Sequence, residues 1–231
     1  MLGLMLAFVA GATNAGAFLA VNQYTSHMTG ILSTLADSLM LKAWTVALAS
    51  LGGLISFLAG AITCAILVNF GLRHRLRSAF AIPLLLEAML MLLFGLLGAK
   101  LSHMRGLFVP GTIMLLCFMM GLQNAVITNI SNSTIRTTHV TGMITDLGIE
   151  LGRLFYMNSP QINRQPVIAD RRRITLFGSL LSSFFIGGLL GVVAFRHLGY
   201  AATVPLAIVL GVLAAVPAYD DLAASWSTPT S

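Results

Sequence analysis

Apolar residues in this chain come in long unbroken runs, not at the three-to-four-residue spacing of a helix with one wet face. A helix needs about 20 largely apolar residues to cross a hydrocarbon core. Six runs reach that length: Leu2–Val21, Ala43–Phe70, Phe80–Leu101, Leu107–Ile130, Ile174–Phe195 and Tyr200–Tyr219. Each is predicted to be a helix that is apolar on all sides, the pattern of a buried or membrane-spanning element. Between them lie LRHRLRS, KLSHMR, a polar stretch from Ser131 to Arg173, and RHLG. The tail after Asp220 is polar and expected to be without regular structure.

Two shorter segments break the pattern. His27–Leu41 is too short to span and contains Asp37. Its Met28, Ile31, Leu32, Leu35 and Leu39 make an apolar face, with Thr34, Asp37 and Ser38 elsewhere. A second such segment has Val140, Met143, Ile144, Leu147, Leu151 and Leu154 on its apolar side. Asp146, Glu150 and Arg153 are expected on its opposite, solvated face, with Glu150 and Arg153 spaced to pair. Each segment is either a re-entrant half-helix or a helix lying at the interface. The preceding residues, NQYTSHMTG and SNSTIRTTHVTG, read as irregular backbone that supplies Thr or Ser caps.

These segments belong to an internal repeat. GATNAGAF followed by TSHMTGILSTLAD matches GLQNAVIT followed by TTHVTGMITDLG. Asn14 aligns with Asn124, Thr25 with Thr137, His27 with His139, Thr29 with Thr141 and Gly30 with Gly142. Further on, SFLAGA (56–61) matches SFFIGG (183–188), Arg73-His74 matches Arg196-His197, and Pro83-Leu84 matches Pro205-Leu206. With three spans in each half, the second half enters the membrane from the opposite side. That gives inverted-topology repeats, an architecture of many secondary transporters, with the solute site at the repeat interface. Four spans in each half would make the repeats parallel instead.

Composition and charge agree. Hydrophobic residues are 57% of the 231 and charged residues 9%, against about 25% charged in soluble domains. Such a chain needs lipid as its solvent. The net charge of +6 is a topology signal, because the basic residues fall between the apolar runs; no nucleic-acid partner is expected. With six spans, one side carries Arg73, Arg75, Arg77, Arg136, Arg153, Arg164, Arg171, Arg172 and Arg173, the other Lys42, Lys100, Arg105 and Arg196. The excess points to cytoplasmic termini. The DRRR run at 170–173 reads as a topology or lipid-headgroup anchor. No cleavable secretory signal is expected, and the missing basic leader points to a native start further upstream.

Several residues are candidates for chemistry. Asn14, Thr25, His27 and Thr29 with Asn124, Thr137, His139 and Thr141 are candidate solute-binding groups. Against this, an interhelical Asn contact is worth only about 0.6 kcal/mol as adhesion, and the histidines could serve as caps. Glu87 lies inside the third apolar run, where an ionised side chain costs about 3 kcal/mol or more. It should face the bundle interior, protonated or paired. Its repeat counterpart is Val209. Glu87 and Asp146 are candidates for proton coupling. Cys64 and Cys117 read as small packing residues, and Gly52, Gly53, Gly60, Gly187, Gly188 and Gly191 as sites of close helix packing. No metal site, cofactor motif or catalytic constellation is present.

G-x-x-N-A-x-x-F with T-x-H-M-T-G early, and G-x-x-N-A with T-T-H-V-T-G in the middle, resembles the YoaK-like bacterial membrane proteins, a family of unknown function. The likeness runs from Leu2 to about Asp220 and is most specific in GLQNAVITNISNSTIRTTHVTGMITDLG. It implies a bacterial inner-membrane protein of about six spans and implies no reaction or substrate. Gly16-Ala17 departs from the bulkier residues expected there.

The sequence therefore predicts an all-α polytopic membrane bundle. A single transmembrane domain covers residues 1–220, with repeat A about 1–101 and repeat B about 107–220, followed by a polar tail at 221–231. The expected function is transport of a small polar or anionic solute by alternating access. The expected partners are membrane lipids and the solute, with a homo-oligomer open. The alternative is a membrane-embedded enzyme or binding protein acting on a lipid or isoprenoid.

Overall fold

The computed structural model describes residues 2–74, 79–101, 105–130, 140–157 and 165–226. Helices carry nearly all of them, and no strand occurs among the described residues. In chain order they are α1 (Leu2–Val21), α2 (Met28–Met40), α3 (Trp44–Arg73), α4 (Ala81–Leu101), α5 (Arg105–Ile130), α6 (Val140–Phe155), α7 (Arg171–Leu198) and α8 (Thr203–Trp226). A 3₁₀ turn, Gly199–Ala202, joins α7 to α8.

Five helical stretches are long and apolar enough to cross a membrane: Leu2–Val21, Trp44–Arg73, Ala81–Ala99, Pro110–Asn129 and Arg171–Ala215. The last is 45 residues long and runs through α7, the 3₁₀ turn and half of α8. Ile55, Leu58, Ile62 and Ile66 on α3, like Phe185, Leu189 and Val193 on α7, are at least half exposed. Soluble monomers do not show continuous apolar faces of this kind. The exposure fits a multi-pass membrane protein, with lipid covering those faces.

Inside, the helices touch through glycines. A Cβ on Gly60 would overlap the carbonyl oxygen of Phe118, and one on Gly187 would overlap that of Phe8. Likewise Gly121 sits against the Phe57 carbonyl and Gly11 against the Phe184 carbonyl. These contacts form two matched pairs. Phe8 and Gly11 of α1 correspond to Phe118 and Gly121 of α5, each 110 positions on; Phe57 and Gly60 of α3 correspond to Phe184 and Gly187 of α7, each 127 positions on. The same spacings align Asn14 with Asn124 and SFLAGA with SFFIGG. α1 packs on α7 just as α5 packs on α3.

The contacts also give directions. Along α1, Phe8 meets Gly187 and Ala12 meets Gly191, so α1 and α7 run parallel. Gly52 meets Met114 and Gly60 meets Leu122, so α3 and α5 run parallel too. Gly95 meets Thr203 and Gly98 meets Tyr200, so α4 and α8 are antiparallel. Residues with positive φ follow three of the helices: Asn22 (φ 54°) after α1, Lys42 (φ 57°) after α2 and Gly199 (φ 58°) after α7.

The short helices fold back along their neighbours. Ile31 of α2 reaches Gly53 of α3, and Met143 of α6 packs in one cluster with Phe177 and Leu180 of α7. α6 differs from the sequence expectation. Glu150 is not on a solvated face; it is 2% exposed, while Ile144 and Leu154 are exposed. Glu150 lies seven residues after Met143, two helical turns along the same face, so the side that meets α7 carries it inward. α8 also continues to Trp226, past the expected break at Asp220. Leu222, Ala223 and Ala224 are strong helix formers, and local propensity carries the helix on.

Candidate functional site

After α1 ends at Val21 the chain doubles back through residues 22–27 to start α2. Tyr24 stacks on Phe18, with ring centroids 4.8 Å apart. The Ser26 hydroxyl donates to the Asn14 side-chain oxygen at 2.9 Å, tying this irregular segment to the middle of α1. His27 occupies the cap position of α2 with φ −93° and ψ 73°, and no side chain caps the helix among the described residues. The expected Thr or Ser cap is therefore not the one used. The His27 imidazole instead lies over Gly30, where a Cβ would be 2.9 Å from Nε2.

This segment opens onto a cavity of about 590 Å³, within the usual range for small-molecule sites. Asn14, Tyr24, Ser26, His27, Met28 and Thr29 line it from the first half of the chain. Val140, Thr141 and Gly142, the first turn of α6, line it from the second half. Phe57 of α3 and Phe184 of α7 complete the wall. Both short helices thus point their N-termini into one space. The first amide N–H groups of a helix lack intrahelical acceptors and carry a partial positive charge of about +0.5. No Lys, Arg, Asp or Glu is among the described lining residues.

Of the candidates named from sequence, Asn14, His27, Thr29 and Thr141 meet in the cavity. Thr25 is fully buried just behind it, with no hydrogen-bond partner for its hydroxyl among the described residues. Asn124 is 7% exposed on α5 and does not line the cavity. Thr137 and His139 lie outside the described residues, as does Arg136. Asp146 is exposed on α6, away from the lining. Glu87 is fully buried in α4, away from the cavity, and neither carboxyl oxygen has a partner among the described residues.

Sequence reasoning passed over Tyr24, Ser26, Phe57 and Phe184. The signal for the two phenylalanines was present in the repeated SF motif at 56–57 and 183–184, which was read only as alignment. Cys64 and Cys117 are buried thiols, and no group of three or more His, Cys, Asp or Glu able to hold a metal occurs among the described residues.

The described residues are almost wholly helical, and a cavity of mixed polar and apolar lining lies where α1, α3 and α7 meet the starts of α2 and α6. The chain belongs to the family described as "Protein of unknown function (DUF1275)", whose model matches residues 2–216. None of the curated proteins matches it, and neither does any solved structure.

Proposed function

We propose that this protein is a transporter for a small polar or anionic solute in the bacterial inner membrane, in line with its YoaK-like motifs. Residues 1–220 form one transmembrane domain of six spans, α1, α3, α4, α5, α7 and α8, with both termini cytoplasmic. The two halves are inverted repeats. The crossed glycine contacts, equivalent at the spacings of the sequence repeat, support this, as do the helix directions. Parallel α1 and α7, parallel α3 and α5, and antiparallel α4 and α8 fit an up-down order of six spans. On this reading α2 and α6 are re-entrant half-helices. They begin at the level of Phe57 and Phe184, about halfway along α3 and α7, and irregular backbone at that depth is tolerated where it lines a wet cavity.

The carrying observation is the single cavity into which both half-helices point. Asn14, His27, Thr29 and Thr141 contact the solute, and Thr25, Asn124, Thr137 and His139 complete the site as the halves rock. Two helix N-termini at the cavity, with no carboxylate among the described lining residues, favour a solute with negative charge. Glu87 and Asp146 are the groups available for proton coupling. The alternative, an enzyme or binding protein for a lipid or isoprenoid, would use His27 with a carboxylate, and no carboxylate lines the cavity among the described residues.

Osmotic swelling of proteoliposomes tests the reading without a labelled substrate. A panel of nitrate, formate, acetate, lactate, urea and glycerol is applied, and light scattering follows entry. At least one anion enters faster than in protein-free vesicles, and His27→Ala and Thr141→Val slow it. No solute above the protein-free rate would contradict transport.

A further inference from the structure

The corner between α6 and α7 holds a charged cluster that the cavity does not use. The Glu150 carboxylate, 2% exposed, accepts from Arg153 Nη1 at 2.8 Å and lies 3.7 Å from Arg173 Nη1. Its second oxygen accepts from the Asp170 backbone N–H at 2.9 Å. Asp170 in turn caps α7, its side chain accepting from the amides of Arg172 at 2.9 Å and Arg173 at 3.3 Å. Both carboxylates are thus engaged internally. Arg171 and Arg172 are exposed and form no ion pair among the described residues. Phe155 and Met157, at the end of α6, and Ile168, three residues before Arg171, are each at least three-quarters exposed. The matching corner between α2 and α3 has only Lys42 as a basic residue.

We infer that Arg171 and Arg172, with the exposed apolar residues of the same corner, bind the headgroup of an anionic phospholipid, and that this lipid braces the half-helix α6. The occupant follows from the chemistry. Guanidinium groups with no ion pair among the described residues match a phosphate diester, and the exposed apolar side chains of the same corner match acyl chains at the edge of a bilayer. The patch sits at the end of a membrane-length helix, where headgroups lie. The bracing follows from connectivity. Arg171 and Arg172 adjoin Asp170 and Arg173, both of which reach Glu150, and Glu150 is on α6, whose first turn lines the cavity. Lipid bound at one end of α6 therefore holds the other end in place. The inference rests on membrane insertion but not on transport, so flux data do not decide it.

The test uses the purified full chain in detergent, mixed with dioleoyl phosphatidylglycerol or dioleoyl phosphatidylcholine at equal mole fraction. Thermal unfolding and amide exchange of α6 are read together. Phosphatidylglycerol is expected to raise the midpoint by about 2–4 °C over phosphatidylcholine, the shift given by one modest site in a chain of this size, and to slow exchange in α6. The double variant Arg171→Gln/Arg172→Gln loses that increment while matching wild type in phosphatidylcholine; Arg171→Lys/Arg172→Lys retains part of it. In Glu150→Gln the lipid no longer slows exchange in α6. Equal shifts from the two lipids, or a full increment in the double Gln variant, would overturn the site. A full increment from inorganic phosphate alone would overturn the lipid as its source, and slowed α6 exchange in Glu150→Gln would overturn the bracing.

Discussion

The Ser26 hydroxyl donates to the side-chain oxygen of Asn14 at 2.9 Å, and through this bond the entry to α2 is fixed against the middle of α1. Both residues line the cavity. Without the bond, the Tyr24–Phe18 stack, local backbone turns and the burial of Thr25 are what the described residues leave to hold 22–27. Asn14→Ala and Ser26→Ala are each expected to cost about 0.5–1.5 kcal/mol. The double variant should cost less than the sum of the two singles, and a double-mutant cycle of thermal unfolding in detergent measures the coupling. Simple additivity would mean that the bond does not form.

Glycines divide sharply by position. Gly11, Gly60, Gly121 and Gly187 have a neighbouring helix backbone where a Cβ would go, whereas Gly148, Gly152 and Gly178 have open space. Alanine at any of the first four is expected to destabilise by about 1–3 kcal/mol or more, since a backbone carbonyl cannot rotate aside. Alanine at the last three should be neutral or gain up to about 1 kcal/mol from helix propensity. Melting temperatures of the seven variants check this, and matched pairs (Gly60 with Gly187, Gly11 with Gly121) should lose similar amounts.

Gly30→Ala separates position from identity at His27. The new Cβ would displace the imidazole from the first turn of α2, altering the cavity wall while leaving His27 in the sequence. Flux in the swelling assay should fall toward the His27→Ala level. The thermal midpoint should move less than for Gly60→Ala, because a flexible side chain yields more readily than a backbone. Wild-type flux in Gly30→Ala would remove the imidazole's placement from the account.

Both carboxyl oxygens of Glu87 are buried in the core without a hydrogen-bond partner among the described residues. Replacing a buried unsatisfied polar group with an apolar one of similar shape is neutral or stabilising. Glu87→Leu is therefore expected to raise the thermal midpoint by a few degrees, equivalent to about 1–3 kcal/mol. It should also abolish any acceleration of solute entry by an imposed pH gradient. A destabilised Glu87→Leu would show that the carboxyl has a structural partner.

Much of the architecture is legible in the sequence, because membrane-length helices need only length and apolarity to declare themselves. The two spacings that align Asn14 with Asn124 and Ser56 with Ser183 in the sequence are those at which the glycine contacts recur. The burial of Glu150 was not readable. A charge seven residues from Met143 shares its face, but its partners Asp170 and Arg173 come from beyond a connection whose path the sequence does not specify. Phe57 and Phe184 carry a signal in the repeated SF motif, but one that does not say what they face. On helices that are apolar throughout, nothing local distinguishes a cavity wall from a lipid-facing position. The side-chain cap expected for α2 failed because Ser26 turns to Asn14 instead.

A solute site shared by both halves has Thr29 and Thr141 as its most direct probes. Each is changed to Cys singly, and the swelling assay is run with the anion that wild type admits, before and after a membrane-impermeant methanethiosulfonate reagent. Modification at either position is expected to block entry, and the permeant anion present during labelling to slow modification at both. Wild type should be unaffected, since Cys64 and Cys117 are buried. Continued entry through protein fully modified at Thr29→Cys or at Thr141→Cys would contradict a shared site.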